Sequence, residues 1–278
     1  MAFAALRTAC AAAVLCLAAC SGGSSVERSL DHMSSSMSFA LDGAETESRS
    51  VELPCPTIMD LDVETFAGDV VIRAGRQTDG KALVDAQVRA GHGRNRSEEA
   101  LSALNDVKVT ADVVRGGDVP TLQVRATTTS KEPWLLRTDF EIQVPEARRV
   151  NVRTRSGKVY VFENRGGLNV HTTDGEIRII TPWTITENVT LITRGADIVY
   201  RVNVGSCGSF DVDIVNGTVL SRVEAGDWRI LDPRNDHDTL IAQLGNCTNR
   251  LLMRTSDAKV IISVVKEPLS HGSVFVSP

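Results

Sequence analysis

Asp211 and Asp213 stand two residues apart in a stretch that alternates with Phe210, Val212 and Ile214. On a strand, side chains two apart share a face, so the pair can place carboxylate oxygens together. Such oxygens could hold Ca²⁺ or serve as the acid and base of a polysaccharide lyase or hydrolase. Similar acids recur at Asp60, Asp62, Glu64 and Asp69, and at Asp236 and Asp238. None comes with the glycine-containing ligand loop of a calcium site, and the plainer reading is a solvated strand face that discourages edge pairing. No metal, cofactor or catalytic residue is expected.

The histidines at 32, 92, 171, 237 and 271 form no HExxH motif, and no Ser or Cys stands in a nucleophile elbow. His171 falls on an outward face beside Arg153 and Arg194, where a surface role is expected. Gly91-His92-Gly93 lacks the third glycine of a nucleotide loop. Tyr160, Trp183, Tyr200 and Trp228 could line a sugar- or peptide-binding face with Asp211 and Asp213, although packing explains so sparse a set more simply.

The elements that would carry these residues are strands. A pattern recurs from residue 150 to 265: an apolar residue, Thr two later, a small or polar turn, then two alternating apolar residues. Copies centre on Thr154, Thr172, Thr193, Ile214 and Thr255, with an earlier one at Thr65 and a degenerate one near 235. A period near 20 is too short for helix pairs or propeller blades, and implies an all-β, single-stack β-solenoid with rungs of about 20 residues. Alternation places Val152, Thr154, Val159 and Val161 inside, and Arg153, Lys158 and Tyr160 outside. Inward Thr suits a hydrogen-bonded ladder and the following Gly a tight turn.

Further strands are expected at 82–90, 107–114, 122–126 and 140–144. One short helix is expected at 97–105, capped by Ser97 and burying Leu101 and Leu104 on one face.

Residues 1–19 combine Arg7, an apolar run from Ala9 to Ala19 and small residues before Cys20, the parts of a secretory signal. The run is too short to span a bilayer. Leu17-Ala18-Ala19-Cys20 resembles a bacterial lipobox, which implies cleavage before Cys20 and acylation of its thiol and new amino terminus. Two or more acyl chains give lasting attachment. Ser21-Gly22-Gly23-Ser24-Ser25 reads as a flexible tether. Ser21 in place of the Asp linked with inner-membrane retention favours the outer membrane.

Cleavage removes Arg7 alone among charged residues, leaving 29 basic against 35 acidic side chains. That balance argues against nucleic acid. Beyond the signal cysteines, Cys55, Cys207 and Cys247 have no zinc-ligand spacing. In sequential rungs Cys207 and Cys247 would lie two rungs, about 10 Å, apart, so no disulfide is expected between them.

The T-x-x-G-x-[VI] turns, the Glu98-Glu99-Ala100 helix, the Gly116-Gly117-Asp118 turn and Phe140-Glu141-Ile142-Gln143-Val144-Pro145 together resemble a bacterial family of putative adhesins. The likeness covers roughly residues 50–265 and implies a β-solenoid with no transferable catalytic residues. The layout expected is a signal peptide (1–19), lipidated Cys20 and tether (20–50), a β domain (51–265) and a tail (266–278).

The expected function is a lipid-anchored, non-enzymatic binding or scaffold module of the cell envelope, touching the membrane through lipid and a polysaccharide or envelope protein through its surface. The alternatives are a carbohydrate-active β-helix enzyme and an accessory protein of envelope stress signalling.

Overall fold

The computed structural model describes residues 43–75, 78–232 and 237–270. The signal segment, Cys20, the start of the tether, Asp236 and the last eight residues lie outside them. Among the described residues no helix is long and apolar enough to cross a membrane.

The strands fall into two mixed sheets. Sheet I runs, in spatial order, β1 (Gly43–Pro54), β4 (Lys81–His92), β7 (Leu136–Gln143), β3 (Val70–Arg73), β9 (Val159–Phe162), β11 (Ile177–Ile180), β13 (Ile198–Asn203), β19 (Lys259–Val265) and β15 (Thr218–Val223). Sheet II runs β16 (Trp228–Ile230), β17 (Thr239–Leu244), β14 (Gly208–Val215), β18 (Arg250–Ser256), β12 (Val189–Ile192), β10 (Leu168–His171), β8 (Glu146–Thr154), β2 (Ile58–Thr65), β6 (Thr121–Thr128) and β5 (Val107–Val114). The inward side chains of both sheets meet in one aliphatic core of Val, Ile and Leu. The alternating burial of strands such as β2 and β14 follows from the two-residue period.

The expected single-stack solenoid is therefore corrected to two large mixed sheets. Parallel pairing dominates the middle, but β1, β4 and β7 pair antiparallel, as do β5 with β6 and β14 and β16 with β17. The order of the repeats is also crossed. The β2/β3 pair sits between β6/β7 and β8/β9, and the β18/β19 pair enters between β12/β13 and β14/β15. Periodicity reports the local strand-turn-strand unit, whereas neighbours are chosen by what each edge can still pair.

The crossing overturns the cysteine expectation. The repeats of Ile214 and Thr255 are adjacent, Ile214 lying opposite Thr255 in register. Cys207 and Cys247 come to a Cα separation of 5.6 Å and form a disulfide, while Cys55 is free.

The recurring turns show why Thr and Gly were repeated. Thr172 Oγ1 donates to Gly157 O at 3.2 Å, Thr193 to Gly175 O at 2.8 Å and Thr255 to Ala196 O at 2.7 Å. Each hydroxyl thus ties its strand to the backbone of the adjacent turn instead of to another Thr. Gly157, at φ +134°, packs so closely on the Gly68 carbonyl that a Cβ would fall far inside contact distance.

α1 (Ser97–Leu104) packs on β1 and β4, burying Ala100 and Leu104. Ser97 begins the helix without capping it, since no side-chain bond is made at its N-terminus, and Leu101 is half exposed. β1 begins at Gly43, inside the stretch assigned to the tether.

Candidate binding groove on the outer face of sheet II

Parallel, in-register pairing lines up the outward residues of successive repeats. Asp62 of β2 lies opposite Asn151 of β8, which lies opposite Asn169 of β10, which lies opposite Thr190 of β12. At a strand spacing of about 4.8 Å this polar row spans roughly 14 Å. It forms the floor of a concavity of about 1140 Å³, walled by the Thr186-Glu187-Asn188 and Asn246-Cys247-Thr248-Asn249 segments.

The row is a directional hydrogen-bond chain. Asn151 Nδ2 donates to Asp62 Oδ1 at 2.5 Å, and Asn169 Nδ2 donates to Asn151 Oδ1 at 2.8 Å. His171 Nε2 lies 2.9 Å from Asn169 Oδ1. Burial, and then the charge of Arg153, push the His171 pKa below 6.5, so near pH 7 the ring is neutral and donates its Nε2–H to that oxygen. Arg125 closes the other end on Asp62.

The remaining charges at the rim are mostly paired. A bulge in β8 sets Arg148 and Arg149 both against Asp60 of β2. Arg148 clamps that carboxylate through Nε and Nη2 at 3.0 and 2.8 Å, and the Arg149 amide donates to it at 3.2 Å. Arg149 Nε reaches Glu187 at 2.8 Å. Six polar side chains of the lining are left unengaged: those of Thr121, Arg153, Thr186, Thr190, Asn246 and Thr248 make no hydrogen bond to described residues.

The second wall is held from behind. The Cys207–Cys247 bond anchors it, Gln243 Nε2 donates to the carbonyls of Gly245 and Cys247, and Asn249 Nδ2 donates to those of Glu187 and Cys207. Its shape is thus set before any ligand arrives.

Of the residues singled out from sequence, Asp60 and Asp62 line this groove, but Asp211, Asp213 and the four aromatic residues do not. Asp211 accepts from Arg250 and, at 2.7 Å, from Arg254. Burial alone would raise its pKa, but these hydrogen bonds outweigh it and hold the carboxyl below its ordinary range. Asp213 lies 3.6 Å from Arg254, so the pair faces a guanidinium and offers no open set of oxygens.

Tyr200 is fully buried in the core, and burial pushes its pKa up. Tyr160, on the outer side of sheet I, is nonetheless 3% exposed and donates to Glu176 at 2.9 Å. Trp183 is half exposed at a turn, with the Arg165 guanidinium 3.7 Å over its ring. Trp228 packs edge-on against Phe210 at 5.1 Å. Packing, not a shared face, accounts for three of these four rings. Cys20 lies outside the described residues.

A signal for the groove was present in the repeats. The residue three before each Thr marker is Asp62, Asn151, Asn169 and Thr190 in turn. The inward Thr and apolar positions repeat more strictly than this outward column, whose members share only their polarity.

No protein-family model and no curated protein matches the sequence. Among solved structures, a putative cell adhesion protein from Clostridium sporogenes is similar at 13% identity and a TM-score of 0.50, over 80% of this chain and 99% of the other. A putative adhesin from Bacteroides fragilis matches at 8% identity and a TM-score of 0.28, over 78% and 97% of the two chains. A putative lipid binding protein from Parabacteroides distasonis matches at 10% and 0.24, over 78% and 96%. The first likeness shows a shared fold.

Proposed function

We propose that the protein is a non-enzymatic binding module of the bacterial cell envelope and that the sheet II groove is its binding surface. The observation that carries this reading is the state of the groove's side chains. Its carboxylates are already held by guanidinium and amide groups, while hydroxyl and amide groups stand open along a preformed wall. A carboxylate so held is a poor proton donor, whereas fixed polar groups suit recognition. The envelope placement rests on the secretory signal and lipobox resemblance of residues 1–20, and the fold shared with a putative cell adhesion protein agrees with it.

The test is retention of the purified full chain on isolated bacterial envelopes, compared with Arg149→Glu. The variant breaks the Arg149–Glu187 pair at the rim and should lower retention at least fivefold with an unchanged circular-dichroism spectrum. Equal retention of both proteins would remove the groove from the function. Release of soluble sugar from the envelopes by the wild type would overturn the non-enzymatic reading.

A further inference from the structure

The chemistry of the groove narrows what it can hold. Its floor lies in the middle of sheet II, where every strand from β2 to β12 has a neighbour on both sides. A peptide therefore finds no open strand edge to extend, and recognition falls to side chains alone. The apolar residues beneath, Leu61, Val150 and Leu168, are 2, 2 and 3% exposed, which leaves an acyl chain little surface to cover. Lining charges are nearly balanced, Asp60, Asp62 and Glu187 against Arg149 and Arg153, so no strong field selects a polyanion.

What remains is a row of amide, carboxyl and hydroxyl groups repeating at the strand spacing and able both to donate and to accept. From these observations we propose that the row Asp62–Asn151–Asn169–Thr190 binds a neutral, linear oligosaccharide lying across the strands. This rests on the groove being the binding surface.

The physical match is one of repeat and polarity. A β-linked pyranose chain advances by about one strand spacing per sugar, so successive rings meet equivalent side chains on β2, β8, β10 and β12. Sugar hydroxyls both donate and accept. They can give a proton to a free carboxyl or amide lone pair on the row and take one from Thr190 or from the second Nδ2–H of Asn169. The Arg153 guanidinium supplies further donors at the rim. Because the row is already ordered by its own hydrogen bonds, few rotamers must be fixed on binding. Without an aromatic ring among the lining residues, single-site affinity should be modest.

Amide NMR titration of the full chain tests this, using chitohexaose and cellohexaose as neutral probes, hexagalacturonate as the anionic one and an octapeptide of Gly and Ser as the peptide. At least one neutral hexaose should shift the amides of 150–153, 168–171 and 189–191, with weaker effects from the other two probes. Asn169→Ala should weaken binding at least tenfold, and Asn216→Ala, on a distant exposed turn, should leave it unchanged.

The proposal is overturned if only hexagalacturonate or the peptide binds, if the shifts lie elsewhere, or if no saccharide binds at millimolar concentration. Should no saccharide bind while envelope retention still falls with Arg149→Glu, the glycan assignment fails and the binding-module reading stands.

Discussion

Between β8 and β13 each repeat lies beside the one that precedes it in the chain, whereas at either end a repeat is wedged between two that are distant in sequence. The two regions share one fastening, and the seams add a second. In both, Thr hydroxyls reach the carbonyls of adjoining turns, Thr172 and Thr193 in the middle and Thr255 at the C-terminal seam, and glycines let those turns touch. At the seams, long-range contacts carry the join. Asp69 takes the Lys158 amide at 2.8 Å and faces Arg137 at 3.1 Å, while Asp211 gathers Arg250 and Arg254 beside the disulfide. Repetition in sequence suffices to stack neighbours, but a crossed order needs groups that recognise partners far along the chain.

The fastening that both regions share breaks most sharply at Gly157, whose turn meets Gly68 across the N-terminal seam. Alanine there must adopt φ near +134° and drive its Cβ into the Gly68 carbonyl, so Gly157→Ala should cost about 4 kcal/mol in urea unfolding. A loss under about 1 kcal/mol would mean that the join between the β8/β9 and β2/β3 repeats does not depend on backbone closeness.

The C-terminal seam is tested by Cys207→Ser. Removing a link across 40 residues should cost about 3 kcal/mol. Hydrogen exchange should quicken in β14, β17 and β18 while β9 and β11 stay protected; uniform quickening would show that seam and middle unfold as one unit.

The smallest effect concerns His171, whose folded pKa lies below 6.5. The unfolded chain takes up its proton first as pH falls, so the group's contribution is complete above pH 6.5 and is lost on descending through the folded pKa. An NMR titration of the ring should give a midpoint below 6.5, and a higher one would refute its neutral role beside Asn169.

Much of this architecture was readable from side-chain alternation. Val152, Thr154, Val159 and Val161 are buried as their spacing requires, and the strands at 107–114 and 82–90 form. Two things were not readable. Alternation assigns Tyr160 to an outer face, and it is there, but solvent access depends on what else covers that face. The order of repeats, and with it the Cys207–Cys247 bond, depends on which edges remain open, a property of the assembled sheets that no local spacing records. The groove lay between these cases, since its Asp-Asn-Asn-Thr column was in plain sight but becomes a surface only through parallel registration.

The entry of β18/β19 between strands made earlier has a consequence for synthesis. As the chain emerges from its amino end, β14 and β15 must wait beside an empty slot until residues 250–265 arrive to fill it. A molecule cut short before that point would leave four strand edges bare, those of β12 and β14 in one sheet and β13 and β15 in the other. Such edges invite pairing with other chains and attack by proteases. The last repeat therefore works as a keystone, closing both sheets at once.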